Sequence, residues 1–452
     1  MRFLKAALTE SSNGGRYRRY MLVLLAGIYA FNNVDRAALG LAVQNIKAAL
    51  QLTDAQLGLL SGIVFALFYS TFGIPLGRWA DRGNRIKIIS LTAALGGMMI
   101  MLCGAARSFG QLMLIRIGVA VGESGCMPPA YSLIADYFGR SERPRATAKY
   151  LLGGSVSVFF GYFVAGWLNE FYGWRVMFVV LGCPCLLLSA VAWVTLHEPR
   201  SMRHRSADTG STTVRTPPLA EVSRSLWSNR TYRCVLLTLC LNYLFGTGIG
   251  QWQPAYFIRS FGLSTGELGT WLALLYGVGG FAATYLGGYV ASKYAPRNER
   301  LQLRVMALLN AGFGLISAAA YLSRNPYVAL VLVGVAGSGG ALQSAPLFAT
   351  TQTVVPERMR AISVSILFLF ANLIGMGLGP LAVGVMSDAL RPVAGEESLR
   401  YALLAMCPGY LVGCWLLWRA GVTVDGDTQS AVKQTRRGQS ENINSKDLFP
   451  IQ

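Results

Sequence analysis

Twelve apolar runs, each long enough to cross a bilayer, follow one another along this chain with mostly short polar gaps between them. A helix needs about 20 apolar residues to cross a hydrocarbon layer about 30 Å thick. The runs cover residues 20–45, 54–77, 86–106, 110–138, 145–169, 173–196, 232–257, 266–292, 301–322, 326–352, 357–389 and 398–419. In lipid every backbone N–H and C=O must be satisfied within the protein, so such runs read as helices. Only 13% of the residues are charged, about half the share in a soluble protein. The bilayer therefore replaces much of the core.

An even number of runs places both termini on one side, and the positive-inside rule selects that side. Of 40 Lys and Arg residues, 31 lie in gaps or at the adjoining run ends on the side of the termini and seven on the other; the remaining two, Arg36 and Arg116, lie deep inside runs. Both termini, the gap between runs six and seven, and the 2–3, 4–5, 8–9 and 10–11 loops are expected to be cytoplasmic. The expected organisation is a cytoplasmic N-terminal segment (1–19), a six-helix bundle (20–196), a cytoplasmic linker (197–231), a second six-helix bundle (232–420) and a disordered cytoplasmic tail (421–452). The linker has the polar content of a flexible connection, with a short surface helix near 219–227. The first run is too long for a signal peptide and lacks a cleavage site. The expected fold class is an all-α membrane protein of twelve transmembrane helices in two six-helix bundles, a layout that places substrate near the midplane between halves. With compact termini, the chain is expected to be a monomer of the bacterial cytoplasmic membrane, among membrane lipids.

Composition excludes several functions. The net charge of +19 is spread over the gaps between runs, with no aromatic-interleaved patch for nucleic acid. All eight cysteines lie in apolar segments, and the only histidines, His197 and His204, stand in the polar linker. No metal site, cofactor or disulfide framework is implied. With no histidine in any run, and Glu198 beside His197 lacking a second ligand, an enzyme is not indicated. Pore-lining repeats or charged rings of a channel are absent.

Four ionisable residues interrupt the runs: Asp35 and Arg36 in the first, Arg116 and Glu123 in the fourth. A charge near the bilayer centre costs roughly 2.5–3.5 kcal/mol on insertion scales. Such charges face a partner, an ion path or a substrate. At 1.5 Å per residue Asp35 lies about 22 Å along its run from the inner face, so about 8 Å from the outer face; Arg116, entering from outside, is at about the same depth. The two can pair. Glu123, two turns further along one helix face, is about 10 Å deeper. Burial and an arginine neighbour pull a carboxyl's proton affinity in opposite directions, and a moving helix can reset that balance. Asp35 and Glu123 are therefore read as proton carriers, Arg116 as their counter-charge, and Arg36 as a site for an anionic head group or a partner of Glu123. Pro128 and Pro129 just beyond Glu123 interrupt the helical ladder and allow bending.

In the second half no ionisable residue lies mid-run in runs seven to eleven. The candidate substrate contacts there are Gln251, Trp252, Tyr256, Tyr276, Gln343 and Asn372, with Asn33 and Arg36 facing them from the first run. One charged wall and one apolar wall suit an amphiphile with an anionic head and an acyl tail. Phe65, Phe68 and Tyr69 are candidates for lining a tail path.

After run two comes GIPLGRWADRGNR (73–85). It resembles the cytoplasmic signature of the major facilitator superfamily, with Gly77, Asp81, Arg82 and Arg85 in the matching places. The resemblance implies a latch: the glycine allows close helix approach, and the Asp caps a neighbouring helix N-terminus and pairs with an Arg, a carboxylate being favoured at that positive end. The equivalent place after run eight has Ser292 instead of an acid, so a second latch is not expected. A finer resemblance is to the spinster branch of that superfamily. It is carried by NVDR (33–36), RIGVAVGE (116–123) continuing to SLIAD (132–136), GWR (173–175), QWQPAYFIR (251–259), VPERMRA (355–361) and NLIG (372–375). It implies a proton-linked or facilitative exporter of lysolipids, such as lysophospholipids or sphingosine 1-phosphate, with lipid entering sideways between runs two and eleven or five and eight. The Asp-Arg and Arg…Glu pairs also resemble the organic anion:proton symporters of the superfamily, where the arginine beside the Asp holds the substrate carboxylate. Lipid-like or small organic anions, together with protons, are the expected partners.

Overall fold

A computed structural model of the protein describes residues 14–139, 141–199, 219–294, 298–356 and 359–447. The expectations for residues 1–13 and 200–218 lie outside the described residues. Among the described residues there is no strand, and the chain is an all-α, multi-pass membrane protein. Seven helical stretches in them are long and apolar enough to cross a membrane.

Nine of the twelve runs correspond to those seven stretches, because Arg145–Thr195 takes in runs five and six and Ile362–Ser430 takes in runs eleven and twelve. The helix Arg143–Thr195 turns at Gly173, whose φ of 79° is a conformation that side chains with a Cβ rarely adopt. The other three runs are interrupted. Run one breaks at Asn33, between the helices Gly14–Asn32 and Val34–Leu50. Run four breaks after Ser124, and its second helix, Met127–Tyr137, carries Pro128 and Pro129 in its first turn, where a missing N–H is harmless. Run eight passes through a π-helical turn, Ala273–Val278, and a second such turn, Ala371–Met376, interrupts run eleven. Two of these breaks flank the four ionisable residues.

The described chain forms two compact units. Of the described residues, the first holds those up to 199 together with 250–278 and 380–402. Its core is built from Met21, Leu25, Ile28, Ile89, Leu133 and neighbours. The second holds the described residues of 219–249, 279–379 and 403–447, around Val235, Leu303, Leu347, Leu367 and Leu417. The surface helix after the linker spans Leu219–Ser228. The tail expected to be disordered instead continues a helix, Gly409–Asp447. No proline interrupts that stretch, and its isolated glycines cost only about 1 kcal/mol each. Asp427 and Thr428 anchor it, accepting from the Thr231 N–H at 2.8 Å and donating to Glu299 at 3.2 Å.

Candidate functional site

Asp35 sits in the first turn of Val34–Leu50, directly after the break at Asn33. It is fully buried, as are Arg116 and Glu123 to within a few per cent. Arg116 donates to Asp35 through Nη1, and Arg36 donates to Glu123 through Nη2. The two ion pairs share an aromatic floor. The Phe65 ring centroid lies 4.8 Å from the Arg36 guanidinium carbon and 5.3 Å from that of Arg116. Tyr69 stacks on Phe65 and also faces Arg36, at 5.8 Å. Phe65 therefore lies within the charge cluster, buried, rather than along an open tail path.

Arg36 differs from the other three charges, because 36% of its side chain is exposed against 2% for Glu123. Asp35 Oδ1, Glu123 Oε1 and Arg116 Nε are buried with no hydrogen-bond partner among the described residues. A buried cluster with spare acceptors and donors has more than one arrangement open to it, at the energetic expense of unsatisfied groups. Such expense is typical of machinery that moves charge.

The helix carrying Glu123 is held close to its neighbour. A Cβ added at Gly122 would stand 2.5 Å from the Gly96 Cα, so these helices meet backbone to backbone just before Glu123. Beside them a buried polar knot passes from Asn32, whose amide donates to Cys126 Sγ at 3.3 Å, to Thr92 and Cys185. Sequence reading selected Asn33 and passed over Asn32. Asn33 donates to the Tyr29 carbonyl at 2.8 Å and so ties down the helix break.

The other candidates divide into separate groups. Trp252 and Tyr256 are fully buried, and the Trp252 indole donates to the Pro380 carbonyl at 2.9 Å. Both are packed against protein in this conformation, since their side chains are closed off from the surroundings. Gln251 is half-buried, at the close approach to Gly40. Tyr276 lies in the π-helical turn, donates to Gln253 Oε1, and faces the Tyr162 ring at 6.0 Å. In the second unit Gln343 is buried and donates to Asn310 at 3.4 Å, while Asn372 is half-buried in the other π-helical turn.

Of the four latch residues, the side chains of Asp81 and Arg82 lie outside the described residues. Gly77 makes no close approach, since an added Cβ would meet nothing within 4 Å. Arg85 is fully buried. It pairs with Asp136 at 2.7 Å and with Glu198, donates to Ser132 at 2.8 Å, and its backbone N–H also donates to Glu198 at 2.7 Å. Glu198, set aside in the sequence for want of a second ligand, thus caps the helix Arg85–Cys103 and neutralises its first residue.

A further cluster was missed altogether. Asp54, at the start of Asp54–Ser61, accepts from Arg259 at 2.6 and 2.7 Å, from Lys47 at 2.6 Å and from Ser387 at 2.7 Å. Asp388 accepts from the Asp54 and Ala55 N–H groups at 3.1 and 2.7 Å, a carboxylate at a helix N-terminus. The signal available in the sequence was the Thr53–Gln56 capping box, which is formed.

An all-helical membrane chain with a buried, four-charge cluster beside broken helices is a secondary transporter. The profile of the Major Facilitator Superfamily matches residues 25–380, and the chain belongs to that family. It is similar to the crystal structure of a bacterial homologue of the human lysosomal transporter Spinster, in an inward-facing and unoccupied conformation, with a TM-score of 0.82 and 30% identity over 92% of this chain and 99% of that one. Among relatives, an MFS-type efflux pump of Mycolicibacterium smegmatis is 28% identical over 413 residues, 88% of this chain and 91% of that protein. A probable L-galactonate transporter of Escherichia coli is 26% identical over 403 residues, 86% of each.

Proposed function

We propose that the protein is a proton-coupled transporter of an amphiphilic anion, such as a lysophospholipid or a sphingosine 1-phosphate-like molecule, working by alternating access. The observation that carries this reading is the unequal exposure within the cluster. Arg36 alone presents a charged side chain that a substrate can reach, while its partner Glu123 is sealed behind it. An anionic head group arriving at Arg36 competes with Glu123 for the guanidinium. Glu123, deprived of its counter-charge in a buried place, then takes up a proton. Asp35 and Arg116 form the second pair of the relay, linked through Phe65. The half-buried Tyr69, stacked on Phe65, suits the apolar part of an amphiphile, and the resemblance of the sequence to the spinster branch supports the same substrate class.

Two six-helix bundles, 20–196 and 232–420, are joined by the linker 197–231, with both termini cytoplasmic in a bacterial cell membrane and the protein a monomer. Gly77, Asp81, Arg82 and Arg85 form the cytoplasmic latch.

A second reading, a proton-coupled symporter of small organic anions, is favoured by the likeness to the probable L-galactonate transporter. There Arg36 is the carboxylate clamp. Reconstitution in liposomes with a lumenal pH dye separates the two. Proton flux driven by a lysophospholipid and lost in Asp35→Asn supports the first. Flux driven only by a sugar acid supports the second, and flux unchanged in Asp35→Asn removes the proposed relay from both.

A further inference from the structure

The second unit carries a groove of its own. Arg230, Arg233 and Leu237 recur at i, i+3 and i+7, on one face of the helix Arg230–Phe261. Trp415, Arg419 and Val422 follow at i, i+4 and i+7 on the helix Gly409–Asp447. The two stripes line a cavity of about 750 Å³. Its apolar members are open to the surroundings: Leu237, Trp415 and Val422 are 51%, 53% and 60% exposed.

Among the described residues no carboxylate pairs with Arg230, Arg233 or Arg419. Asp427, at the same end, is engaged in accepting the Thr231 N–H. Arg419 lies over the Trp415 ring at 4.8 Å, which holds its guanidinium at the rim. Three unpaired guanidiniums thus stand above an apolar trough on a membrane helix. A free phosphate would satisfy the rim and leave the trough without a partner. An uncharged lipid would do the reverse.

We propose that this groove binds an anionic phospholipid of the cytoplasmic leaflet. The arginines hold its phosphodiester by charge-assisted hydrogen bonds, and its acyl chains lie along Leu237, Trp415 and Val422. The leaflet rests on the orientation in the proposed function; the lipid preference does not.

Native mass spectrometry of the full-length protein tests it, with phosphatidylglycerol or phosphatidylcholine added to the micelles at equal mole fraction. Phosphatidylglycerol is expected to be retained and phosphatidylcholine not. Retention should weaken about fivefold for each arginine changed to glutamine, from Arg230→Gln to the triple variant with Arg233→Gln and Arg419→Gln. Leu237→Trp, which fills the trough and keeps the arginines, should lower retention as well; an unchanged melting midpoint in phosphatidylcholine reports that each variant is folded. Equal retention of both lipids by the unaltered protein, or full retention by the folded triple variant, overturns the proposal, and so does displacement of the lipid by millimolar inorganic phosphate. Arg419→Cys probed with a membrane-impermeant maleimide in oriented vesicles reads the leaflet separately. Labelling from the periplasmic face overturns the orientation and leaves the lipid preference standing.

Discussion

Arg259 grips Asp54 with both terminal nitrogens, at 2.6 and 2.7 Å, across 205 residues of sequence. The carboxylate is almost wholly buried, so Arg259, Lys47 and Ser387 replace the water it has lost. Removing one member of a buried ion pair destabilises by about 3–5 kcal/mol, because the other is left uncompensated. Lys47 remains beside Asp54, so the lower end is expected for Arg259→Gln. The melting midpoint in detergent should fall, and Asp54→Asn should cost less in the Arg259→Gln background than in the unaltered protein. Strictly additive losses in the two changes would show that the pair does not act as a unit.

Glu198 makes a different kind of contact with Arg85, bonding both its guanidinium and its backbone N–H. It is at once counter-charge and helix cap. Glu198→Ala should therefore destabilise more than Asp136→Asn, whose carboxyl is 27% exposed and pairs with Arg85 through its side chain. The expected gap is on the order of 1 kcal/mol, the usual worth of a cap. Comparing the midpoints of urea or thermal unfolding in one detergent measures it; equal losses would remove the capping role.

Much of the charge cluster could be read from the sequence because it depends on depth within a membrane. Counting residues from the ends of the runs puts Asp35 and Arg116 level, and they are in contact in the structure. The pairing of Arg36 with Glu123 was one of two alternatives, since nothing in one sequence says which way an arginine turns. Asn32 was missed for a related reason. A helix break at Asn33 shifts the rotational phase, so that Asn32, and not its neighbour, enters the buried knot. The clusters around Asp54 and Arg85 were illegible because Arg259 and Glu198, which complete them, are 205 and 113 residues away and sit in gaps, where charges ordinarily face water. The burial of Trp252 and Tyr256 was not legible, because an aromatic in a run reads alike whether it lines a cavity or fills a contact.

Arg36 and Glu123 should separate binding from coupling. Arg36→Lys keeps the charge but loses the planar fork, so apparent substrate affinity should fall while some proton flux survives. Arg36→Ala removes the charged hydrogen bonds altogether, a loss of about tenfold to hundredfold in affinity. Glu123→Gln keeps the shape and abolishes the titrating group. It should permit exchange of labelled substrate across liposomes while net accumulation driven by a pH gradient disappears. Accumulation at the unaltered rate in Glu123→Gln would move the proton site to Asp35 alone.

Gly122 and Gly77 make a paired test of where close helix approach matters. A Cβ at Gly122 would press on the Gly96 backbone at 2.5 Å, with the Thr92 carbonyl at 2.9 Å, and neither contact is a side chain that can turn away. Gly122→Ala must separate the two helices, which costs about 1–3 kcal/mol and moves Glu123 away from Arg36. Both the melting midpoint and coupled flux should drop. Gly77→Ala meets open space, so the melting midpoint should hold. If Gly77→Ala nevertheless slows transport, the close approach at Gly77 belongs to another conformation of the cycle, where the latch closes. If it changes neither quantity, Gly77 has no part in the latch, and Arg85 with Asp136 and Glu198 carries that end of the molecule.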